Sequence, residues 1–217
     1  MRIAPKPALR PDLEKLLDNY RAALDVNHLR YFAGGLGLSC ESLMRLGIGW
    51  AAEHGAWAFP MRTGEGRLCG VRLRRESGKQ FAIVGSRAGL FIPANLHTPD
   101  RVLMTEGLTD ASAALDLGFQ NVIGRPNCNS SRPLMVAYVR RTRPVDVVIV
   151  ADQDEVGIRG ADSLATALMP YAPIRVIAPP ERAGDLRKWK LQGATLADVT
   201  RLIDAAEVQR LRVKVTA

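Results

Sequence analysis

The feature that most constrains the fold is an alternation of short apolar segments with longer helical ones, which begins near residue 100. Four apolar segments, RVLMTEG, QNVIG, VDVVIVADQD and IRVIAPP, have the length and composition of strands. Between them lie the predicted helices TDASAALDLG, SSRPLMVAYVRRTR and EVGIRGADSLATALM. Strands that alternate with helices of about 10–15 residues predict an α/β fold with a mainly parallel sheet and flanking helices.

The preceding part of the chain has a different pattern. The segment DLEKLLDNYRAALDV has helical spacing, and a short helix pair follows, with Ser39 as a candidate N-cap. The apolar runs AWAFPM, LCGVRL, QFAIVG and LFIP alternate with glycine turns, which predicts a small antiparallel sheet. We therefore expect a small α+β subdomain at residues 1–98, an α/β domain at 99–195 and a helical tail at 196–217.

Composition limits the partners and cofactors that we expect. The 217 residues carry a formal net charge of +8, with a pI near 9.9, which favours nucleic acid as a partner. No apolar stretch approaches the roughly 18 residues of a membrane span, and the first residues lack the apolar core of a secretory signal, so no membrane partner is expected. Cys40, Cys69 and Cys128 form no CxxC pair, so we expect neither zinc nor disulfides, as in a cytoplasmic protein.

Acidic residues follow three of the four strands predicted for the α/β domain. Glu106 ends the first strand, and Asp110 follows four residues later. Asp152 and Asp154 come after the third strand, and Asp185 comes after the fourth. The carboxyl ends of strands in an open α/β sheet share one edge, where ligands bind. Carboxylates gathered there repel one another unless a cation compensates them, so the pattern predicts a site for Mg²⁺ or Mn²⁺.

Each acidic residue taken alone also has a structural interpretation. Asp110 could stabilise a helix start through the helix dipole, and Asp185 could cap the helix that contains LRKWK. Glu106 could be a solvated turn residue, and a lone DxDxxG motif often occurs by chance. The metal site is favoured because the acids occur as a set, each after an apolar strand.

A basic stretch lies within the predicted antiparallel sheet. Residues 62–87 contain seven basic residues and two acidic ones. Arg72 and Arg74 are separated by one position, so they lie on one face of a strand, with apolar residues on the other. Together with Arg75 and Lys79 they are candidates for contacts to the phosphates of a template or of an incoming nucleotide. The alternative is a solvated sheet face.

Part of the sequence resembles a known family. The segments VLMTEGLTDASAALDLGFQNVIG, VVIVADQDEVGIRGADSL and GDLRKWKLQG look like the TOPRIM domain that DnaG-type primases share with topoisomerases, small nucleases and recombination-mediator proteins. Glu106 matches the glutamate that marks this family, and Asp152 with Asp154 matches its DxD motif. The EGxxD motif of DnaG-type primases is matched by Glu106, Gly107 and Asp110. Upstream, YFAGGLGLSCESLMRLGIGW and AFPMRTGEGRLCGVRLRR are similar to the subdomain that precedes TOPRIM in DnaG-type and phage primases.

The resemblance implies a metal-dependent nucleotidyltransferase that makes short primers on single-stranded DNA from nucleoside triphosphates. Glu106, Asp152 and Asp154 would be catalytic and, with Asp110 and Asp185, would hold Mg²⁺ or Mn²⁺. Single-stranded DNA and nucleoside triphosphates would be partners, and a replicative helicase would be a further one. A cytoplasmic protein of phage or mobile-element replication is the expected setting.

The sequence also departs from the family pattern. The amino-terminal zinc domain of those primases is not expected here, and the helical subdomain after TOPRIM would be missing or reduced to DVTRLIDAAEVQRLRVKV. Asp185 is followed by Leu186, Arg187 and Lys188, where the third acidic motif usually contains further acids. Two alternatives therefore stay open: a TOPRIM nuclease with water as the nucleophile, and a non-catalytic DNA-binding accessory protein of replication.

Overall fold

A computed structural model describes residues 11–94, 96, 100–126 and 131–210. The helices in this part of the chain are α1 (Leu13–Ala22), α2 (Val26–Leu36), α3 (Cys40–Arg45), α4 (Gly107–Asp116), α5 (Arg132–Thr142), α6 (Glu155–Leu168), α7 (Leu186–Leu191) and α8 (Leu196–Ala205). The strands are β1 (Gly49–Ala51), β2 (Ala56–Arg62), β3 (Leu68–Arg74), β4 (Gln80–Ala82), β5 (Arg101–Glu106), β6 (Val122–Arg125), β7 (Asp146–Val150) and β8 (Ile174–Ile177). None of the described helices is long and apolar enough to cross a membrane.

Side-chain caps set the ends of the first three helices. The segment predicted as one helix from Asp12 to Val26 stops at Ala22, because the Asp25 carboxylate accepts a hydrogen bond from the His28 backbone N–H and starts α2. Ser39 caps α3 as predicted, and its hydroxyl accepts a hydrogen bond from the Ser42 backbone N–H at 3.0 Å.

Strands β1 to β4 form an antiparallel sheet in the order β1-β2-β3-β4. One face packs on Tyr20 of α1 through small and branched side chains, which are Ala51, Ala56, Ala58, Val71 and Leu73. The opposite face carries Trp57 and Phe59, which pack with α2 and α3. The predicted antiparallel sheet is thus confirmed for three of its four apolar runs.

The fourth run, LFIP, does not form a strand of this sheet; it bridges the two sheets. Leu90 exchanges two backbone hydrogen bonds with Arg62 at the end of β2, at 2.7 and 2.8 Å. Phe91 exchanges two with Gly124 in β6, at 2.8 and 2.9 Å. Two consecutive residues therefore connect the antiparallel sheet to the second sheet by four backbone hydrogen bonds.

Strands β5 to β8 form a parallel sheet in the order β6-β5-β7-β8, which confirms the predicted α/β architecture. Helix α4 covers one face, where Leu108 and Ala111 pack with Leu103 and Val148. Helices α5 and α6 cover the other face through residues such as Met135 and Leu164. Because the strands are parallel, their carboxyl ends all lie at one edge of the sheet. The helices cover both faces and leave this edge open.

The antiparallel and parallel sheets share one apolar core. A single cluster contains Trp57 and Phe32 from the first half of the chain, Leu103 from β5 and Ile203 from α8. The predicted boundary at residues 98 and 99 falls on residues outside the described part of the chain, and the division at 98/99 and 195/196 stays a prediction. Within the predicted tail, α8 packs into the core, and Gln209 forms a β-bridge with Ile174.

Candidate active site

Glu106 is placed at the sheet edge by an abrupt change from strand to helix. It is the last residue of β5 and also the N-cap of α4, which begins at Gly107. Gly107 has a φ of 79°, a conformation that residues with a Cβ rarely adopt, so the chain turns without an intervening loop. Asp110 therefore lies within the first helical turn and close to the strand end.

The DxDxxG segment is held by one close approach between backbones. Asp154 caps α6, and its carboxylate accepts a hydrogen bond from the Gly157 backbone N–H at 2.6 Å. A Cβ at Gly157 would lie 2.7 Å from the Asp152 carbonyl oxygen and 2.9 Å from the Asp152 Cβ. Glycine at this position is therefore what allows α6 to begin directly beside Asp152.

Helix α7 brings the third acidic residue to the same edge. Asp185 caps this helix, accepts a hydrogen bond from the Lys188 backbone N–H at 2.6 Å and pairs with the Lys188 ammonium at 2.8 Å. The Arg187 backbone N–H donates to Asp110 at 2.9 Å, which ties the start of α7 to the start of α4. The capping role considered for Asp185 is confirmed, while Asp110 is also a buried acceptor for a neighbouring helix.

The five acidic residues interact electrostatically. Burial, together with the charges of Asp110, Glu106, Asp185 and Asp154, raises the pKa of Asp152 to about 7. Burial also raises the pKa of Asp110 to about 6, although the hydrogen bond from Arg187 partly opposes this shift. The structure therefore brings together all five carboxylates that the sequence singled out, at the carboxyl edge of the parallel sheet.

The donor chemistry of this edge fits a hard divalent cation. All five groups are carboxylates, the ligands that Mg²⁺ and Mn²⁺ prefer. A cavity of about 320 Å³ opens there, lined in part by Asp152, Asp154 and Asp185. Among the described residues, no three acidic, histidine or cysteine side chains are grouped as a ready ligand set for one ion. Asp154 and Asp185 each also accept a capping hydrogen bond through one carboxylate oxygen, Oδ1.

Arg125 is a charged residue of the site that the sequence patterns did not single out. It ends β6 beside Glu106 and is only 1% exposed. Its Nη2 lies 3.4 Å from Glu106 Oε2, and its Nη1 donates to the Gly160 carbonyl oxygen of α6 at 3.3 Å. The sequence does show an arginine at the end of an apolar strand. Its contact with Glu106, however, depends on the pairing of β5 with β6, which the sequence pattern does not show.

The basic residues of the antiparallel sheet fall into two groups. Arg72 and Arg74 pair across the strands with Phe59 and Trp57, on the face that meets the shared core, and this confirms their predicted common face. Burial lowers the pKa of both, and the nearby Arg187 lowers that of Arg74 further. The Arg187 backbone N–H donates to Asp110, so Arg187 links Arg74 to the acidic edge.

Arg75 and Lys79 lie on the turn between β3 and β4, and both are exposed. The Arg75 guanidinium lies over the Phe81 ring, 5.4 Å from its centroid. In the described part of the chain, no carboxylate forms an ion pair with any of these four basic residues. Arg74 is thus linked to the acidic edge through Arg187, and Arg75 and Lys79 extend the positive charge along the outer turn.

Comparison with known proteins decides the fold. No protein-family profile and no curated protein sequence matches the chain. Among solved structures, the DnaG catalytic core matches with a TM-score of 0.69 and 16% sequence identity, covering 90% of this chain and 79% of that one. The chain has the fold of a DnaG-type primase catalytic core.

Two further structures show the same DnaG-type fold. A DNA primase domain from Pseudomonas aeruginosa matches with a TM-score of 0.68 and 16% identity, over 92% of this chain and 79% of that one. A DnaG primase catalytic domain bound to single-stranded DNA matches with a TM-score of 0.63 and 16% identity, over 90% and 77% of the two chains. The matches cover both sheets, so the predicted arrangement of an α+β subdomain before a TOPRIM-type sheet is confirmed at the level of the fold.

Proposed function

We propose that this chain is a metal-dependent nucleotidyltransferase of the primase type. It would join nucleoside triphosphates into short primers on a single-stranded DNA template. The observation that supports this most strongly is the meeting of five carboxylates at one sheet edge, to which Arg74 is linked through Arg187. The TOPRIM domain proposed for residues 99–195 would supply the acids, and the subdomain proposed for residues 1–98 would supply the arginines.

The acidic edge would hold Mg²⁺ or Mn²⁺. Glu106, Asp152 and Asp154 would be the catalytic carboxylates, and Asp110 and Asp185 would complete the ligand set. When bound, the ions would neutralise charge on the triphosphate and activate the attacking 3′-hydroxyl. The raised pKa of Asp152 supports this assignment, because its causes are burial and the repulsion of the neighbouring carboxylates, and a bound cation would offset both.

The basic face would hold the phosphates. The guanidinium groups of Arg72 and Arg74 are partly buried, and the Nε of each is buried without a hydrogen-bond partner in the described structure. An anionic ligand on this face would compensate their charge. Arg75 and Lys79, on the exposed turn, would contact the template backbone. Phosphoryl transfer depends mainly on positioning and charge stabilisation, so this division of roles requires no covalent nucleophile from the protein.

The remaining parts of the proposal concern partners and setting. The similar DnaG domain that was solved with single-stranded DNA supports such DNA as the template. The sequence resemblance to phage primases supports a replicative helicase as a further partner and phage or mobile-element replication as the setting. That function would place the chain in the cytoplasm.

A primer-synthesis assay tests the proposal. Purified protein is incubated with single-stranded DNA, Mg²⁺ or Mn²⁺ and labelled nucleoside triphosphates, alongside Asp152→Asn and the matched control Asp162→Asn, an exposed position on α6. Short products that disappear in Asp152→Asn and persist in Asp162→Asn would support a primase. Metal-dependent degradation of the DNA without products would indicate the nuclease instead. DNA binding without either activity, unchanged by Glu106→Gln, would indicate an accessory protein.

A further inference from the structure

Arg125 and Glu106 are neighbours because of the strand register. Glu106 is the last residue of β5, Arg125 is the last residue of β6, and the two are aligned in the parallel pairing. They lie on the same face, and the Arg125 Nη2 is 3.4 Å from Glu106 Oε2. The Arg125 side chain is 1% exposed, whereas that of Glu106 is 22% exposed. The arginine therefore contacts the carboxylate from the buried side, while the glutamate side chain stays partly exposed at the sheet edge.

The same guanidinium also contacts the helix that follows the DxD motif. The Arg125 Nη1 donates to the carbonyl oxygen of Gly160 at 3.3 Å. Gly160 belongs to α6, whose N-cap is Asp154. One buried side chain thus joins the strand end that carries Glu106 to the helix that begins at the second acidic motif.

The chemistry of arginine makes it costly for Arg125 to lose its contact with the Glu106 carboxylate. A guanidinium stays charged at any physiological pH, and a buried charge without a partner is strongly destabilising. Within the described part of the chain, Glu106 is the carboxylate that pairs with Arg125, and the Arg125 Nε has no hydrogen-bond partner. Water has little access to replace Glu106, so rotation of its side chain away from Arg125 is opposed.

We propose that Arg125 is a positioning residue for Glu106. It fixes the glutamate carboxylate at the sheet edge and couples its place to α6, without itself touching substrate. This inference rests on the proposed function, since it takes Glu106 as a metal ligand. Removal of a residue that orients a ligand typically weakens metal binding by about 10–100-fold.

A rival explanation is that Arg125 acts only as a positive charge near the site. In that case its removal would strengthen the attraction of the acidic edge for a cation. The strengthening would not depend on whether residue 106 is a carboxylate. The two explanations therefore predict opposite signs, and they differ again when Glu106 is absent.

The test is a double-mutant cycle on Mn²⁺ binding by the full chain, measured as free Mn²⁺ by electron paramagnetic resonance. The variants are Arg125→Gln, Glu106→Gln and the double variant. Arg175→Gln is the matched control, because Arg175 is an ion-paired arginine that bonds Asp146 at the opposite end of the same sheet. We expect Arg125→Gln to weaken Mn²⁺ binding about tenfold, the double variant to be no weaker than Glu106→Gln, and the control to match the wild type.

Each other outcome overturns the inference. Tighter binding in Arg125→Gln, or an unchanged effect of Arg125→Gln when Glu106 is already glutamine, would mean that the arginine does not act through the glutamate. An equal loss in Arg175→Gln would indicate general destabilisation. If the glutamine variant fails to fold, Arg125→Lys takes its place in the cycle, because lysine keeps the charge but cannot contact Glu106 and Gly160 together. Failure of the wild type to bind Mn²⁺ would overturn the proposed function itself.

Discussion

In the parallel sheet, charged residues gather at one edge, whereas in the antiparallel sheet they are spread along one face. Parallel strands all end at the same side, so Glu106, Asp152 and Asp185 meet although up to 79 residues separate them in the sequence. In β3 the alternation of side chains puts Arg72 and Arg74 two positions apart on a single strand. The topology of the parallel sheet thus makes the five carboxylates a point site, in which the charges interact with one another. The antiparallel sheet instead makes Arg72 and Arg74 a strip of separate charges.

Glu106→Gln gives the largest effect expected from this comparison. At a point site every carboxylate interacts with the others, so primer synthesis should fall at least about 100-fold, as when an electrostatic catalytic group is removed. The rate is measured with saturating triphosphates and template, and Glu207→Gln, at an exposed position, is the control. A Glu106→Gln variant that keeps a tenth of the wild-type rate would contradict the expected contrast between the interacting carboxylates and the nearly independent arginines.

Arg72→Gln and Arg74→Gln should have smaller and nearly independent effects. Each removes one cation from a strip, so we expect about a tenfold rise in KM for the triphosphate or the DNA, with kcat changed less. In the double variant the two losses should approximately add, whereas Glu106→Gln combined with Asp152→Asn should be no worse than either alone. Steady-state kinetics over all these variants provide the measurement.

The stability of the metal-free chain should depend on pH through the acidic edge. The pKa of Asp152 is raised to about 7 and that of Asp110 to about 6, so the folded state binds protons more tightly than the unfolded state. The penalty for their charge is present above these values and is relieved as the pH falls through them.

In EDTA, the Tm should therefore rise by a few degrees between pH 8 and pH 6. Mg²⁺ should raise the Tm at pH 8, and Asp152→Asn should flatten the pH dependence and stabilise the metal-free chain. Thermal denaturation followed by circular dichroism checks this, with Asp162→Asn as the variant that should keep the wild-type slope. A Tm in EDTA that falls between pH 8 and pH 6 would contradict it.

Substitutions on the exposed turn should have the smallest effect. Arg75→Gln and Lys79→Gln each remove one phosphate contact, so the slope of log affinity against log salt should decrease by about 0.7 per residue for single-stranded DNA. The rate of primer synthesis at low salt should stay close to that of the wild type. Fluorescence anisotropy across a salt series measures the slope. An unchanged slope would show that Arg75 and Lys79 do not contact DNA phosphates.

The acidic site could be predicted from the sequence because its members follow recognisable strands. The apolar run before Asp152 fixes where β7 ends, and the topology of a parallel sheet then brings the acids together. Arg125 could not be predicted, because its partner is set by the pairing of β5 with β6, which no local pattern encodes. The run LFIP was misassigned for a related reason, since the hydrogen bonds of Leu90 and Phe91 go to two different sheets.

The local ends of elements were predicted unevenly. Ser39 was identified as a cap because serine before a helical segment is a strong signal, and the structure confirms it. The stop of α1 at Ala22 was not foreseen, because the apolar spacing continues through it and the cap at Asp25 decides the break. Arg74 lies in β3 and Arg75 on the turn that follows, because β3 ends between them, and the continuous basic run conceals this boundary.

The bridge through Leu90 and Phe91 has a consequence for how this fold can vary over evolution. Its four hydrogen bonds are formed by main-chain atoms, while the buried Leu90 and Phe91 side chains pack into the two core clusters. The separation between the acidic edge and the basic face therefore depends in part on main-chain geometry. A proline at either position would remove an N–H from the bridge and alter that separation directly. The main chain at Leu90 and Phe91 thus helps to set the distance between the acidic edge and the basic face that a phosphate ligand would contact.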